Sequence, residues 1–385
     1  MRRLLTDLIA KDLGQKMVFL SGPRQAGKTT LAMQIAEQGQ RFPGAQVLNW
    51  DVSQDRAMIL NQTWPASAGL VVFDELHKMK GWKLWLKGVF DGRPPTQTYM
   101  VTGSARLDAF RQTGESLAGR YFSWRLHPVS LEEWLSVEDG EPEAGLQRLL
   151  ERGGFPEPLL AKSVDDAQRW RRLYLEGLVR EDILEFSRIQ EVRAMRLFVD
   201  VLRSRVGSPV SLASIARDLQ LAPATLAKYL EILEALYIVF TVRPFHRNIA
   251  RALLKEPKVY FYDLALVDER LGEGGARFEN ACAAMLLQRV HHLQDAQGKA
   301  VQLQYVRDKE GREIDFVVTE NDEPILFAEA KLSAVAVPNL LASVAERFPN
   351  SKAQLVVRHL RQKEQRGRVS VELAAEWLSS LSKTF

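Results

Sequence analysis

The sequence predicts an α/β protein of several domains, opening with a sheet that carries a phosphate-binding loop. Three observations predict it. Residues 17–30, MVFLSGPRQAGKTT, run from an apolar strand through a glycine-bounded loop into the helical pattern LAMQIAEQ. Two further apolar strands follow, within GLVVFDELHK at 69–78 and TYMVTGSARL at 98–107. Near the C-terminal end a helix, RFENACAAMLLQRV, precedes the strands VQLQYVR, GREIDFVVTE and PILFAEAKL.

With 385 residues the chain exceeds what one hydrophobic core organises. Composition shifts and turn signals divide it into an N-terminal domain at 1–135, a helical lid and connector at 136–202, a small helical unit with a wing at 203–262, and a second α/β domain at 263–385. Hydrophobic content of 46% and charged content of 26% are ordinary for a globular protein, and no apolar run approaches the roughly 20 residues that span a bilayer. A membrane protein is therefore not expected. The start, MRRLLTDLIAKDL, reads as an amphipathic helix, because Asp7, Lys11 and Asp12 interrupt any signal-peptide core. Cys282 is the single cysteine, which excludes an internal disulfide and a cysteine-rich metal site and agrees with a reducing cytoplasm. A net charge of +4 permits a nucleic-acid partner without demanding one.

The loop is the most specific motif. Gly22 and Gly27 let the backbone curl so that successive N–H groups and the helix N-terminus face phosphates, and Lys28 reaches the β- and γ-phosphates of a nucleotide while the Thr29 hydroxyl ligates magnesium. The predicted ATP cradle is Gly22, Pro23, Arg24, Gln25, Ala26, Gly27, Lys28, Thr29 and Thr30. The strand VVFD then ends in two carboxylates. Asp74 is expected to hold magnesium through its shell and Glu75 to orient the attacking water, the alternative being a solvated turn. The third strand ends in Thr102, Gly103 and Ser104, of which Ser104 or Thr102 is expected to sense the γ-phosphate or else to cap the following helix. Phosphoryl transfer also calls for a cation on the developing charge. Arg120 and Arg106 are the candidates. Arg120, after Gly119, is placed to reach a neighbouring subunit's nucleotide or is a plain surface arginine.

These residues resemble a broad prokaryotic family of AAA-type ATPases carrying a C-terminal domain of unknown function. The resemblance runs over nearly the whole chain, through FLSGPRQAGKTTL, VVFDELHK, TGSARL, LAGRYFSWRLHPVSLEEW, GGFPE, YLEGLVREDI, KVYFYDLAL and GREIDFVV. It implies an AAA+ or signal-transducing P-loop ATPase, with ATP and Mg2+ as cofactors and a DNA-associated C-terminal region. One departure is visible. After the Asp-Glu pair the family usually has Ile-Gln, whereas Leu76-His77 stands here, so a polar contact by Gln does not carry over.

The middle segment, SPVSLASIARDLQLAPATLAKYLEILEALYIV, reads as two helices about a turn at Gln220 to Ala222, the second opened by Pro223, followed by the strand YIVFTVRPF. The unit resembles a winged helix-turn-helix. Thr225, Lys228 and Tyr229 would face a DNA groove, and Arg243 and Arg247 would add contacts from the wing. Between Arg203 and Lys258 nine basic residues stand against four acidic ones, a net of +5 that suits phosphate contacts. The competing reading is a packing module joining two domains.

In the last domain Glu279 lies on a helix, Asp315 on a strand, and Glu329 and Lys331 two apart on the next strand. Helix, hairpin and strand with Asp followed by Glu-x-Lys resemble the PD-(D/E)xK restriction-endonuclease fold. Strand alternation puts Glu329 and Lys331 on one face, where two carboxylates would hold magnesium with help from Glu279 while Lys331 stabilises developing charge. Cleavage and a degenerate, DNA-clamping role both remain open at this point. The expected function is an oligomeric, magnesium-dependent ATPase coupling nucleotide turnover to DNA binding or remodelling. Its rivals are a nucleotide-controlled switch or scaffold for a protein partner and an ATP-gated nuclease.

Overall fold

The computed structural model describes residues 1–103, 117–178, 192–245, 255–267, 274–333 and 335–385. These form two compact units, Met1–His127 and Pro128–Phe385. The first ends short of the boundary expected at 135.

In the first unit α1 (Thr6–Leu13) leads into β1 (Met17–Ser21), α2 (Lys28–Ala36), β2 (Gln46–Asn49), α3 (Ser53–Asn61), β3 (Leu70–Asp74), α4 (Trp82–Asp91), β4 (Thr98–Thr102) and β5 (Tyr121–Arg125). The five strands form a parallel sheet in the order β2-β3-β4-β1-β5. Every residue of β1 and β3 is buried, as a parallel sheet covered on both faces requires, which explains why MVFLS and LVVFD are nearly continuous apolar runs. One face packs an aromatic cluster in which the Trp64 and Phe73 rings meet edge-on at 5.3 Å and Phe73 and Trp85 at 5.5 Å. The register sets Asp74 beside Asn49 on one side and beside Thr102 on the other. All three therefore end at the same edge of the sheet as the loop that follows β1. Ligands gather at this carboxyl edge in open α/β sheets.

The second unit opens with helices α5 (Leu131–Leu135), α6 (Pro142–Arg152), α7 (Pro156–Leu159), α8 (Val164–Gly177) and α9 (Val192–Arg203). The expected helix pair follows as α10 (Leu212–Asp218) and α11 (Pro223–Ala235), with Gln220 at φ 55° in the turn and Pro223 opening α11. Strands β6 (Val239–Pro244) and β7 (Lys258–Phe261) pair antiparallel. The remainder comprises α12 (Gly275–Gln297), β8 (Val301–Arg307), β9 (Glu313–Glu320), β10 (Glu323–Ser333), α13 (Asn339–Arg347), β11 (Lys352–His359), β12 (Glu364–Arg366), β13 (Val369–Leu373), α14 (Ala374–Leu378) and α15 (Leu381–Thr384).

The β6–β7 pair is not a separate sheet. Arg243 and Pro244 of β6 pair with Gln304 and Tyr305 of β8, giving one eight-stranded sheet in the order β12-β13-β11-β10-β9-β8-β6-β7. The boundary expected at 262/263 thus crosses a continuous sheet, on which α12 packs against β7, β8 and β10. Tyr229, expected to face a groove, is instead 1% exposed, with its ring 6.4 Å from that of Phe198. An aromatic ring on the apolar side of α11 removes more surface from water by packing than by facing solvent. Thr225 is half-buried, and Lys228 and Arg243 are exposed; Arg247 lies outside the described residues. No helix among the described residues is long and apolar enough to cross a membrane.

Candidate functional site

The loop after β1 is shaped by close approach. Gly22 sits at φ 145°, and a Cβ there would stand 2.2 Å from the Leu126 carbonyl oxygen, so only glycine fits. Gln25 at φ 61° and Gly27 at φ 94° complete the curl, and Gly27 caps α2 at its N-terminus. The helix start and its free N–H groups thereby face the concavity made by Gly22, Pro23, Arg24, Gln25, Ala26 and Gly27, with Thr30 exposed on the first turn.

Lys28 is 7% exposed, and its ammonium donates to the carbonyls of Gly22 at 3.0 Å and Pro23 at 2.6 Å. Burial pushes its pKa down to about 8, against the opposing pull of Glu75 and Asp74. A buried ammonium held by two loop carbonyls is poised to take a phosphate as a better partner.

Asp74 is the hub of the site. Its Oδ2 accepts from the Thr29 hydroxyl at 2.9 Å and from Asn49 Nδ2 at 3.1 Å, and its Oδ1 accepts from the Thr102 hydroxyl. Asp74 is 2% exposed, so these donors compensate a buried charge. Thr102 thus serves Asp74 rather than standing alone at its strand end. Ser104 and Arg106 lie outside the described residues. Thr29 and Asp74 together present hard oxygens of the kind magnesium takes, and the remaining ligands of such an ion come from phosphate and water. These residues fit the metal.

Glu75 follows in a left-handed conformation, φ 57°, its N–H donating to the Thr102 carbonyl at 3.0 Å. Its carboxylate lies 3.5 Å from His77 Nε2 and 3.6 Å from Lys78 Nζ. Burial raises its pKa above the usual carboxylate range, only partly offset by Lys78. A carboxylate that is one-fifth exposed and pushed upward is suited to accept hydrogen bonds from water beside the loop.

Arg120 is placed elsewhere. Its guanidinium grips Asp91 at 2.8 and 3.0 Å, and its carbonyl accepts from the N–H of Met17, the first residue of β1. The loop leaves β1 at its other end, roughly 13 Å away at ~3.3 Å per residue. Arg120 is therefore not part of its own chain's phosphate site.

Two contributors escaped the sequence reading. Asn49 is the last residue of β2, and only the strand order brings it beside Asp74. Arg3, 5% exposed, donates to the Ala26 carbonyl at 2.9 Å and to the His127 carbonyl at 2.6 Å, bracing the loop from behind. His127 is itself neutral, its pKa pushed down to about 3 by burial and then by Arg125 and Arg3.

In the second unit the predicted acidic residues meet a cation that the sequence reading did not place. Lys258, 1% exposed, lies 3.4 Å from Glu279 Oε1, 3.3 Å from Asp315 Oδ1 and 3.2 Å from Glu313 Oε2. Glu329 and Lys331 pair with each other at 2.8 Å, as alternation along β10 predicts.

Residues 14–135 match the family model described as AAA domain, residues 143–276 a domain of unknown function (DUF8612), and residues 274–375 another (DUF4143). The first unit is thus an α/β P-loop domain of the AAA type. An uncharacterized protein of Mycobacterium bovis is 29% identical over 260 residues, covering 66% of this chain and 56% of that protein. An uncharacterized protein of Haemophilus influenzae is 24% identical over 341 residues, covering 80% of this chain and 81% of the other. The chain thus matches little more than half the length of the mycobacterial relative. Among solved structures it is similar to the Thermotoga maritima RuvB Holliday junction branch migration motor, at TM-score 0.32 and 19% identity over 61% of this chain and 86% of that one. A signal transduction ATPase with numerous domains from Pyrococcus horikoshii is similar at TM-score 0.28 and 13% identity, over 75% of this chain and 46% of that one.

Proposed function

We propose that the chain is a magnesium-dependent ATPase whose nucleotide state governs DNA binding through the helix-turn-helix of its second unit. The observation that carries the ATPase reading is the 2.9 Å bond from Thr29 to Asp74, which joins the phosphate loop to the carboxylate strand in one site. A magnesium ion held by Thr29, and by Asp74 through its shell, would supply positive charge beside the β- and γ-phosphates. Lys28 gives up its loop carbonyls for phosphate oxygens. The α2 N-terminus holds further oxygens through backbone N–H groups. Glu75 holds a water in line with the γ-phosphate and accepts its proton as attack proceeds. Thr102 and Asn49 keep Asp74 oriented through their hydrogen bonds to its carboxylate.

The DNA reading is supported by the helix pair α10–α11, by exposed Lys228 and Arg243, and by the eight basic against four acidic residues that stand from Arg203 to Glu256 once buried Lys258 is set aside. Cations of this kind give affinity that falls with salt. Arg120, held at the far edge of its own sheet, is proposed to act on a neighbouring subunit's nucleotide in an oligomer. The test is ATP hydrolysis with single-stranded, duplex and branched DNA at moderate salt. Strong stimulation that Lys228→Glu weakens supports the coupling, and turnover unaffected by any DNA overturns it.

A further inference from the structure

A nuclease-type site in the second unit would need its carboxylates free to hold a divalent metal. They are not free. The Lys258 ammonium has three protons to donate, and Glu279, Glu313 and Asp315 each place one carboxylate oxygen 3.2 to 3.4 Å from it. The second oxygen of Asp315 accepts the Ala330 N–H at 3.0 Å, and Glu279 also takes the Tyr260 hydroxyl at 2.7 Å. Gly207 closes over the Glu279 carboxylate so tightly that a Cβ would lie 2.7 Å from it.

Glu329 offers one buried oxygen, Oε2, that lacks a hydrogen-bond partner. That oxygen by itself is a poor cradle for magnesium, which demands near-octahedral oxygen ligation. Among the described residues no group of three or more His, Cys, Asp or Glu is placed to hold a metal ion. The disagreement with a metal-dependent nuclease is thus a matter of occupancy, since a buried ammonium and a divalent ion repel each other at one position.

We propose that Lys258 is the resident cation of this cluster, its ammonium standing in the place of a nuclease metal and tying the wing strand β7 to α12 and β9. The second unit then engages DNA without cutting it. The cluster serves as a rivet between the helix-turn-helix module and the sheet behind it, so a nucleotide-driven motion would carry both together.

The experiment titrates nucleotide-free, full-length protein with Mn2+ and follows free Mn2+ by electron paramagnetic resonance. Wild type, Asp315→Asn and Glu329→Gln are expected to give superimposable curves. Lys258→Ala, checked for folding by circular dichroism, is expected to gain a stoichiometric Mn2+ site that Lys258→Ala/Asp315→Asn lacks. A wild-type Mn2+ site removed by Asp315→Asn or Glu329→Gln overturns the proposal, as does a folded Lys258→Ala protein that gains none. If Lys258→Ala does not fold, the comparison of wild type with the two carboxylate variants decides alone.

Discussion

Replacing Lys28 with methionine should abolish nucleotide binding and at the same time stabilise the first unit near neutral pH. The Lys28 ammonium is buried, and its pKa falls from 10.5 to about 8. A lowered lysine costs stability whenever it is ionised in the folded protein. That cost is complete below pH 8 and is relieved as pH rises from about 8 toward 10.5, where the unfolded chain also loses the proton. At about 1.36 kcal/mol per pKa unit, the cost is about 3 kcal/mol at pH 7 and falls to roughly half of that at pH 9.5. Methionine has a similar length and carries no charge. It leaves the Gly22 and Pro23 carbonyls without their lysine donor, which offsets the gain by about 1 kcal/mol each. The net expectation is a variant more stable than wild type by about 1 kcal/mol at pH 7, an advantage that disappears by pH 9.5. The assay is a urea titration read by peptide-resolved hydrogen exchange over residues 17–36, so that the first unit reports alone. The pH dependence carries the argument, because the carbonyl cost is the same at both values. A difference between the two proteins that does not shift by about 2 kcal/mol from pH 7 to 9.5 would refute the buried-charge account of Lys28.

Further outcomes follow from the same geometry. Asn49→Ala removes one of three donors on a buried carboxylate and should destabilise the first unit by about 1.5 to 3 kcal/mol, measured by the same titration; a neutral result would mean that the strand order does not couple Asn49 to Asp74. Gly22→Ala places a methyl against the Leu126 carbonyl at φ 145°, so nucleotide affinity, read by a fluorescent ATP analogue, should fall at least as far as in Lys28→Ala. Because burial raises the Glu75 pKa, the group is ionised only above the usual carboxylate range. Turnover should therefore fall about tenfold per pH unit on an acid limb whose midpoint lies above 4.5, and a rate unchanged down to pH 4.5 would remove Glu75 as the base.

The loop was legible in the sequence because its chemistry is local: Gly22 to Thr29 must lie together for the backbone to curl, and a strand and helix on either side fix their direction. Asp74 was legible for the same reason, as the last residue of a buried strand. What was not legible depends on strands far apart in sequence. Asn49 ends a four-residue strand with no motif of its own, and its partner is chosen by the β2-β3-β4 order. Lys258 stands in the sequence as one of nine basic residues and as the start of KVYFYDLAL, with nothing local to mark its carboxylate partners. Its burial follows from the pairing of β6 and β7 with the C-terminal sheet, which brings three carboxylates from α12 and β9 around it. Tyr229 is the converse case: it follows Lys228 directly in the sequence, but a turn of about 100° per residue puts it on the side of α11 that packs inward.

The central claim is that loop, strand-end carboxylate and adjacent glutamate form one ATP-hydrolysing site. Steady-state phosphate release and ATP binding, measured on wild type and Glu75→Gln with Mg2+ and again with EDTA, test it most directly. The account predicts Mg2+-dependent release by wild type, its loss in Glu75→Gln, and ATP binding retained in that variant. Phosphate release by Glu75→Gln at the wild-type rate, or release by wild type that EDTA does not alter, would contradict it.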